Sequence, residues 1–324
     1  MEVLITGGAG FLGMKLARTL LAHGTLADAN GKQQPVARIV LMDRHAAQGF
    51  DDPRIDVVEG DVADATVIAR ALTPSTDSVF HLAAIVSGEA EADFDLGMRV
   101  NLDATRLLLD QARHNGNRPR LVFASSVAAF GGELPEQVLD STAPTPQGSY
   151  GMQKVVGELL VSDYSRRGYI DGRSIRLPTI TVRPGKANKA ASSFASGILR
   201  EPLNGVEAVC PVPPETRVWA MSPRSAITNL VHAHEISSRD VGTGGAISLP
   251  GLATTAGEMV AALRRVAGDA VADRVRWEKD EAITRLVSSW PGSFLTPRAE
   301  RLGFVRDASF DEVIRAYIEE ELKA

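Results

Sequence analysis

Two kinds of apolar pattern alternate along the first half of the chain. Short runs that are apolar almost throughout, such as VLIT (3–6) and ARIVLMD (37–43), are typical of strands buried on both faces of a sheet. Longer segments with apolar residues three or four positions apart, such as FLGMKLARTLLAHG (11–24), predict amphipathic helices. Because such strands and helices follow one another in turn, the pattern predicts a doubly wound α/β domain built around a parallel sheet.

The predicted elements can be given approximate bounds. Strands are expected at 3–6, 37–43, 55–61, 78–84, 120–126 and 174–182. Helices are expected at 11–24, from Asp64 onward, over about 90–115, and around YGMQK at 150–154. A polar loop containing DANGKQQP is expected between the first helix and the second of these strands.

The pattern changes after about residue 183, where proline, glycine and small residues interrupt the regular alternation. A helix-like segment at 226–236 and a strand-like segment at 246–251 are expected to return to the first domain. We therefore expect residues 1–182, with 226–252, to form one domain. Residues 183–225 and 253–324 are expected to form a smaller C-terminal α/β domain that binds the substrate.

Composition narrows the choice of partner and compartment. The chain has 324 residues, 44% of them hydrophobic, and a formal net charge of −5. It has no basic tract that could hold a phosphate backbone, so nucleic acid is not an expected partner, and no metal site is predicted. No apolar run approaches the roughly 18 residues that span a bilayer, and no targeting signal opens the sequence. The single cysteine, Cys210, cannot form an internal disulfide, so we expect a soluble cytoplasmic protein.

A glycine motif joins the first predicted strand to the first helix. Gly7, Gly10 and Gly13 in LITGGAGFLG follow the spacing G-x-x-G-x-x-G. Gly7 permits a tight turn, Gly10 lets the backbone approach a pyrophosphate, and Gly13 allows the helix to pack closely on the strand. The phosphates would lie on the amide groups at the start of the helix, at Phe11 and Leu12. The motif predicts a dinucleotide site in a Rossmann domain, and a glycine-rich turn without a ligand is the alternative.

Residues at the ends of the next strands are candidates for the rest of the dinucleotide site. Asp43 ends the second predicted strand, where a carboxylate accepts hydrogen bonds from both ribose hydroxyls and repels a 2′-phosphate. This favours NAD over NADP, although the neighbouring Arg44 could serve a 2′-phosphate. Asp61 is placed to accept from the adenine amino group beside Val62, or to cap the following helix. The fourth predicted strand ends in residues that leave room for the cofactor, namely Leu82, Ala83 and Ala84.

Tyr150 and Lys154 stand one helical turn apart, and Ser126 ends the fifth predicted strand before them. The carboxyl ends of parallel strands are where such folds bind ligands, so the three side chains should converge there. The pKa of tyrosine is near 10 in water, too high for an efficient general base at neutral pH. A nearby lysine cation favours the phenolate and lowers that pKa, so Tyr150 could accept a hydroxyl proton. A surface tyrosine beside a solvated lysine is the alternative interpretation.

Taken together, TGGAGFLG, HLAA, the strand-end SS and YGMQK strongly resemble the extended short-chain dehydrogenase/reductase family. The resemblance is dense over residues 1–183 and loose beyond them. It implies that Lys154 also holds the nicotinamide ribose and that Ser126, rather than Ser125, hydrogen-bonds the reacting oxygen. It further implies that Asn101 supports the lysine from its helix, and that Asn101 and Pro178 belong to the cofactor-binding set.

The segment 176–228 is most similar to family members that oxidise small hydroxy acids. This implies NAD-dependent oxidation of the C2 hydroxyl of a four-carbon sugar acid to the 2-oxo acid. One alternative is a nucleotide-sugar 4-epimerase with tightly held NAD. Another is a non-catalytic NAD-binding protein, against which the intact Ser, Tyr and Lys set argues. Val127 and Ala128 stand where a dehydratase would carry an extra acidic residue, which argues against dehydration.

A small carboxylate substrate needs a compact cationic pocket, and arginine suits this role because it binds carboxylates through two hydrogen bonds. The candidate substrate-binding residues are Ser87, Ser126, Tyr150, Arg183, Lys186, Asn188, Lys189 and Arg217. For each of the four cations, a solvated surface charge is the alternative interpretation.

The helix that carries YGMQK is also a candidate interface. It has more apolar positions than one buried face requires, at Val155, Val156, Leu159 and Leu160. In related proteins this helix and its neighbour pack against a second copy in a four-helix arrangement. We therefore expect a homodimer.

Overall fold

A computed structural model describes residues 1–185, 191–242 and 245–322 of the chain. The strands in these ranges are β1 (Glu2–Thr6), β2 (Thr25–Ala27), β3 (Gln33–Pro35), β4 (Arg38–Asp43), β5 (Ile55–Glu59), β6 (Ser78–His81), β7 (Arg120–Ser126), β8 (Asp171–Leu177), β9 (Thr179–Ile180), β10 (Ala208–Cys210), β11 (Arg217–Met221), β12 (Ile247–Ser248), β13 (Leu252–Thr255) and β14 (Val275–Trp277).

The α-helices in the same ranges are α1 (Phe11–His23), α2 (Ala65–Ala71), α3 (Ser87–Ala92), α4 (Phe94–Gly97), α5 (Ala104–Asn115), α6 (Ser149–Arg166), α7 (Phe194–Leu203), α8 (Pro223–Glu235), α9 (Ser238–Val241), α10 (Ala256–Ala267), α11 (Asp269–Ala272), α12 (Glu281–Ser288), α13 (Pro297–Arg301) and α14 (Phe310–Tyr317). Two π-helical segments, Met98–Asp103 and Ile318–Leu322, and two 3₁₀ turns, Val127–Ala129 and Ala191–Ser193, complete the helical elements of these ranges.

Seven strands form one sheet in the order β12-β8-β7-β6-β1-β4-β5, and every pair of neighbours is parallel. The chain starts in the middle at β1, runs outward through β4 and β5, and then returns to β6 on the other side of β1. This reversal leaves a crevice at the carboxyl ends of β1 and β6, where open α/β sheets bind ligands. The predicted doubly wound parallel sheet is confirmed.

Helices cover both faces of the sheet because successive side chains of each strand point to opposite faces. Val3 and Ile5 pack in one core with residues of α1 and α8. Leu4, between them, packs in a second core with residues of α2 and α5. All three side chains are fully buried, as the near-continuous apolar pattern of β1 predicted.

The structure differs from the predicted elements in three places. The strand expected over 174–182 is divided at Pro178, and β9 instead pairs with β11 of a separate three-stranded sheet. The helix expected over about 90–115 is broken at Asp93, whose side chain caps α4 by accepting from the amide of Leu96. The loop expected before β4 contains the hairpin of β2 and β3, which the turn residues concealed.

The segment after residue 183, expected to be irregular, holds regular elements. Its described part contains α7, β10 and β11, and their apolar side chains pack with α10 and α14 around a third core. Strand β12 adds to the edge of the main sheet beside β8. Ala299 and Phe304, from the C-terminal segment, pack in the first core. The division into two domains stays a prediction. Among the described helices, none is both long and apolar enough to cross a membrane.

Candidate active site

A cleft of about 710 Å³ lies at the carboxyl ends of β1, β4, β6, β7 and β8. Most of the residues singled out from the sequence line it: Gly7, Gly10, Phe11, Leu12, Gly13, Asp43, Arg44, Asp61, Val62, Leu82, Ala83, Ala84, Ser87, Ser126, Tyr150, Lys154, Pro178 and Arg183. Asn101 and Arg217 do not line it. Lys186, Asn188 and Lys189 lie outside the described residues.

The glycine turn between β1 and α1 fits a pyrophosphate. Gly7 has a φ of +72°, and Gly10 is the residue that precedes the helix. No side chain caps α1, so its first amide groups are open to an anion. A Cβ at Gly13 would lie 2.2 Å from the carbonyl oxygen of Gly7, so a larger residue would push the helix off the turn. The backbone therefore has the close packing that a dinucleotide phosphate site requires.

The end of the cleft expected to hold the adenosine contains two carboxylates and two arginines. Asp43 faces the turn, and its Oδ2 accepts from the amide of Ala9 at 3.1 Å. Asp61 is ion-paired with Arg99, at 2.6 Å between Oδ2 and Nη1, and Arg99 also lines the cleft. Partial burial raises the pKa of the Asp61 carboxyl, but the hydrogen bond and charge of Arg99 outweigh it, so the pKa is lowered.

The alternative role for Asp61, capping the next helix, is wrong. That helix, α2, is capped by Asp64, whose side chain accepts from the amide of Thr66. Arg99 was not singled out from the sequence. It lies far from Asp61 along the chain, and only the folding of the π-helical segment brings the two side chains together.

Ser126 and Tyr150 both line the cleft, and the Ser126 hydroxyl lies close enough to the Tyr150 phenol to lower its pKa. The backbones that carry these two residues approach closely at Gly151, the second residue of YGMQK. A Cβ at Gly151 would lie 2.1 Å from the carbonyl oxygen of Ala128, in the turn after Ser126. Glycine therefore lets the start of α6 approach the turn after β7 closely.

The pKa of Tyr150 differs in direction from the sequence expectation. Burial raises the pKa of its phenol to about 12, against the opposing effects of the nearby Ser126 hydroxyl and the charge of Arg183. Lys154 is itself buried, and burial lowers the pKa of its ammonium to about 8, although Glu158 opposes this. The cation that favours the phenolate is therefore Arg183, and the expected influence of Lys154 on the pKa of Tyr150 is not found.

Lys154 is a buried residue that lines the cleft near the tyrosine. Its Nζ donates to the carbonyl oxygen of Ala124 at 2.9 Å and lies 5.6 Å from the centre of the Tyr150 ring. The side chain is 2% exposed, so its direction is fixed by packing. The role in holding the nicotinamide ribose, which the resemblance implied for Lys154, stays a prediction.

Asn101 has other partners than the expected lysine. Its amide pairs with the backbone of Ile85, accepting from N at 2.8 Å and donating to O at 3.1 Å. Its Nδ2 also donates to Oε1 of Gln153 at 2.7 Å. These bonds tie the π-helical segment to α6 and to the residues that follow β6. Asn101 thus supports the walls of the site from behind them.

Arg183 is the candidate substrate-binding cation that the structure brings to Tyr150. Burial lowers the pKa of its guanidinium, and Arg200 lowers it further. Among the described residues, none accepts a hydrogen bond from this guanidinium, although Arg200 donates to the backbone carbonyl of Arg183 at 2.9 Å. Arg200 also lines the cleft and was missed, because in the sequence it reads as an ordinary polar residue of α7.

Arg217 does not line the cleft, so its predicted contact with the substrate is not supported by the cleft lining. It is an exposed residue at the start of β11 and lines a small adjoining cavity, which shares Val127, Thr179, Ser192 and Trp290 with the cleft. Gly292 packs against its Cβ, where a larger residue would clash with Arg217.

The NAD dependent epimerase/dehydratase family matches residues 3–213. The chain belongs to this family. It is accordingly an NAD-dependent oxidoreductase, and the resemblance to extended short-chain dehydrogenases/reductases is confirmed.

Two curated members of the family are similar over nearly their whole length. A D-erythronate dehydrogenase of Cupriavidus necator is 58% identical over 320 residues, covering 99% of this chain and 98% of the relative. A D-erythronate dehydrogenase of Haemophilus influenzae is 45% identical, covering 99% of this chain and 100% of the relative. A crystal structure described as a nucleoside-diphosphate-sugar epimerase of Agrobacterium tumefaciens is 45% identical, with a TM-score of 0.93 over 100% of this chain and 95% of that one.

Proposed function

We propose that this enzyme oxidises the C2 hydroxyl of D-erythronate with NAD, giving 2-oxo-tetronate. Two relatives that bear the name D-erythronate dehydrogenase support the substrate, because the similarity extends over both chains almost completely. The observation that carries the proposal is the guanidinium of Arg183. It stands beside Tyr150 in the cleft, and no described residue accepts a hydrogen bond from it, so it offers two donors to a substrate carboxylate.

The residues divide the chemistry between them. Tyr150 accepts the proton of the C2 hydroxyl, and Ser126 donates a hydrogen bond to the same oxygen as it becomes a carbonyl. Arg183 holds the carboxylate next to the reacting carbon and, by its charge, favours the phenolate of Tyr150. NAD, when bound, supplies the acceptor for the hydride that leaves C2. The products are the 2-oxo acid, NADH and one proton.

The cofactor-binding roles follow the lining of the cleft. The turn at Gly7, Gly10 and Gly13 and the first amides of α1 hold the pyrophosphate. Asp43 accepts from the adenosine ribose, and the ammonium of Lys154 holds the nicotinamide ribose. The charged end of the cleft at Asp61 and Arg99 receives the adenine.

A nucleotide-sugar 4-epimerase is the second candidate, which the name of the similar crystal structure favours. The two functions differ in an observable way. A dehydrogenase reduces free NAD in proportion to the acid consumed. An epimerase leaves NAD unchanged after each turnover.

The test measures NADH absorbance with purified protein, NAD and D-erythronate. Erythritol, which has the same carbon chain without the carboxylate, is the matched control for the role of Arg183. We expect NADH with D-erythronate and at least about a hundredfold lower kcat/KM with erythritol, in keeping with the loss of a charge-assisted pair. UDP-glucose is incubated in parallel and its products are separated by chromatography. Formation of UDP-galactose, with D-erythronate left unoxidised, would replace the proposed function with the epimerase.

A further inference from the structure

A buried ion pair lies one helical turn beyond Lys154 and joins three elements of the cleft. Glu158 of α6 accepts from Arg176 of β8 through two hydrogen bonds, at 2.8 Å to Nε and 2.7 Å to Nη2. Both side chains are less than a tenth exposed. The hydroxyl of Ser125, from β7, donates to the same carboxylate. Ser125 is therefore engaged in this network, which leaves the neighbouring Ser126 free for the cleft.

Arg176 also holds the turn that follows Ser126. Its guanidinium lies 4.7 Å from the centre of the Phe130 ring, a cation–π contact. Phe130 in turn packs edge-on against Phe294 and is almost completely buried. One guanidinium thus touches α6 through Glu158, and touches the chain beyond β7 through Phe130.

Stability alone does not account for this network. A buried ion pair is often no more stable than apolar side chains of the same volume, because both charges lose their hydration. What a bidentate pair adds is a fixed geometry between the elements that carry it. Here those elements carry Ser126, Tyr150 and Lys154.

A second ion pair links strands β7 and β8 at their amino ends, away from the cleft. In the register of β7 and β8, Arg120 is opposite Asp171 and Ser125 is opposite Arg176. Arg120 donates from Nε to Asp171 at 2.9 Å, and both side chains are largely buried. Five residues of strand, about 16 Å, separate this pair from the cleft, so it is a matched control.

We propose that Glu158 and Arg176 are positioning residues that set Tyr150 and Lys154 of α6 against Ser126 of β7. This inference rests on the proposed function in so far as these three side chains are taken as the reacting groups. The carboxylate of Glu158 also acts on Lys154 directly, since its charge opposes the lowering of the lysine pKa by burial.

The experiment compares Glu158→Gln with Asp171→Asn in the full-length protein. Two quantities are measured: kcat for the substrate that the wild type oxidises, and the affinity for NAD by calorimetry from about pH 6 to pH 9.5. For Glu158→Gln we expect kcat to fall about tenfold or more, because a small misplacement of reacting groups is costly. We also expect the decline of NAD affinity at high pH to begin at least about half a unit lower, because the lysine loses its proton more easily.

Asp171→Asn should lower the thermal midpoint of unfolding. Its kcat should stay within about twofold of the wild type, and the pH at which NAD affinity declines should stay within about 0.2 units. If both variants lose kcat equally, or if Glu158→Gln leaves the pH dependence of NAD affinity in place, the proposal is overturned. Should Glu158→Gln fail to fold, the charge-balanced double variant Glu158→Gln/Arg176→Met takes its place, with the same expected and contradicting outcomes.

The NAD measurement requires no sugar acid, so the two proposals can fail separately. A wild type that ignores D-erythronate, with the pH dependence shifted in Glu158→Gln, contradicts only the proposed function. A wild type that oxidises D-erythronate, with no shift in the variant, contradicts only the positioning role.

Discussion

Replacing Arg183 by methionine tests the proposed substrate most directly, because methionine keeps much of the side-chain length and removes the charge. Removing one partner of a buried charged hydrogen-bonded pair costs about 3–5 kcal/mol. Arg183 is only partly buried in the open cleft, so water screens the interaction and the lower end, about 3 kcal/mol, applies. Since each 1.4 kcal/mol is a factor of ten, kcat/KM for D-erythronate should fall about a hundredfold.

The same variant should also change the pH dependence of kcat. The charge of Arg183 opposes the raising of the Tyr150 pKa by burial, so removing it raises that pKa further. Because the phenolate forms above the pKa, the limb of kcat that rises with pH should move to higher pH. Steady-state NADH formation at saturating NAD, measured over a range of pH, gives both kcat and KM.

Arg217→Met is the comparison variant, because this exposed residue does not line the cleft. Its kcat/KM should stay within about twofold of the wild type, and NAD affinity should be unchanged in both variants. An Arg183→Met enzyme with unchanged KM and unchanged pH dependence would refute the reasoning. A hundredfold loss in Arg217→Met would show that the carboxylate is bound elsewhere.

Four further changes test other parts of the site and fold. Tyr150→Phe should lower kcat by about a hundredfold or more with NAD affinity kept, and activity within a few-fold of wild type would exclude the tyrosine as the base. Asp43→Ser should raise kcat/KM with NADP relative to kcat/KM with NAD. A wild type that already uses both cofactors equally well would contradict the role of the carboxylate. Leu159 is 65% exposed on α6, so Leu159→Glu should convert the expected homodimer to a monomer. The mass is measured by light scattering, and a monomeric wild type would contradict the dimer. Burial lowers the pKa of His81 to about 3 from 6.5, so as the pH falls the imidazole is protonated first in the unfolded protein. Between about pH 7 and pH 5, the free energy of unfolding in urea should therefore drop by about 2 kcal/mol more in the wild type than in His81→Asn. Equal drops in the two proteins would contradict this.

The sequence predicted the central strands and the cleft because their residues are specified locally. Strand β7 was predicted at the residues where it occurs, 120–126, and the glycine turn before α1 has the predicted contacts. Each of these features depends on neighbours within a few positions, where periodicity and glycine spacing carry the information. The same holds for Tyr150 and Lys154, which one helix places a turn apart.

The features that were missed depend on partners far apart in the chain. Arg99 pairs with Asp61, and Arg176 pairs with Glu158, only after helices and strands have packed. The raised pKa of Tyr150 likewise follows from burial in the assembled cleft, which a spacing of residues does not reveal. Regular elements such as α7 were hidden for another reason, since small residues and prolines around them weakened the apolar pattern.

Gly13 and Gly151 have a consequence for how substitution data on this enzyme should be interpreted. Neither has a side chain that could take part in the reaction. A Cβ would nevertheless lie 2.2 Å from a backbone carbonyl oxygen at Gly13, and 2.1 Å from one at Gly151. In a library of random variants selected for growth, both positions should tolerate as few replacements as Tyr150 does. Intolerance alone would therefore place them among the catalytic residues. Their variants should be distinguished by protein abundance, which falls when backbones are forced apart and stays normal when only a reacting hydroxyl is lost.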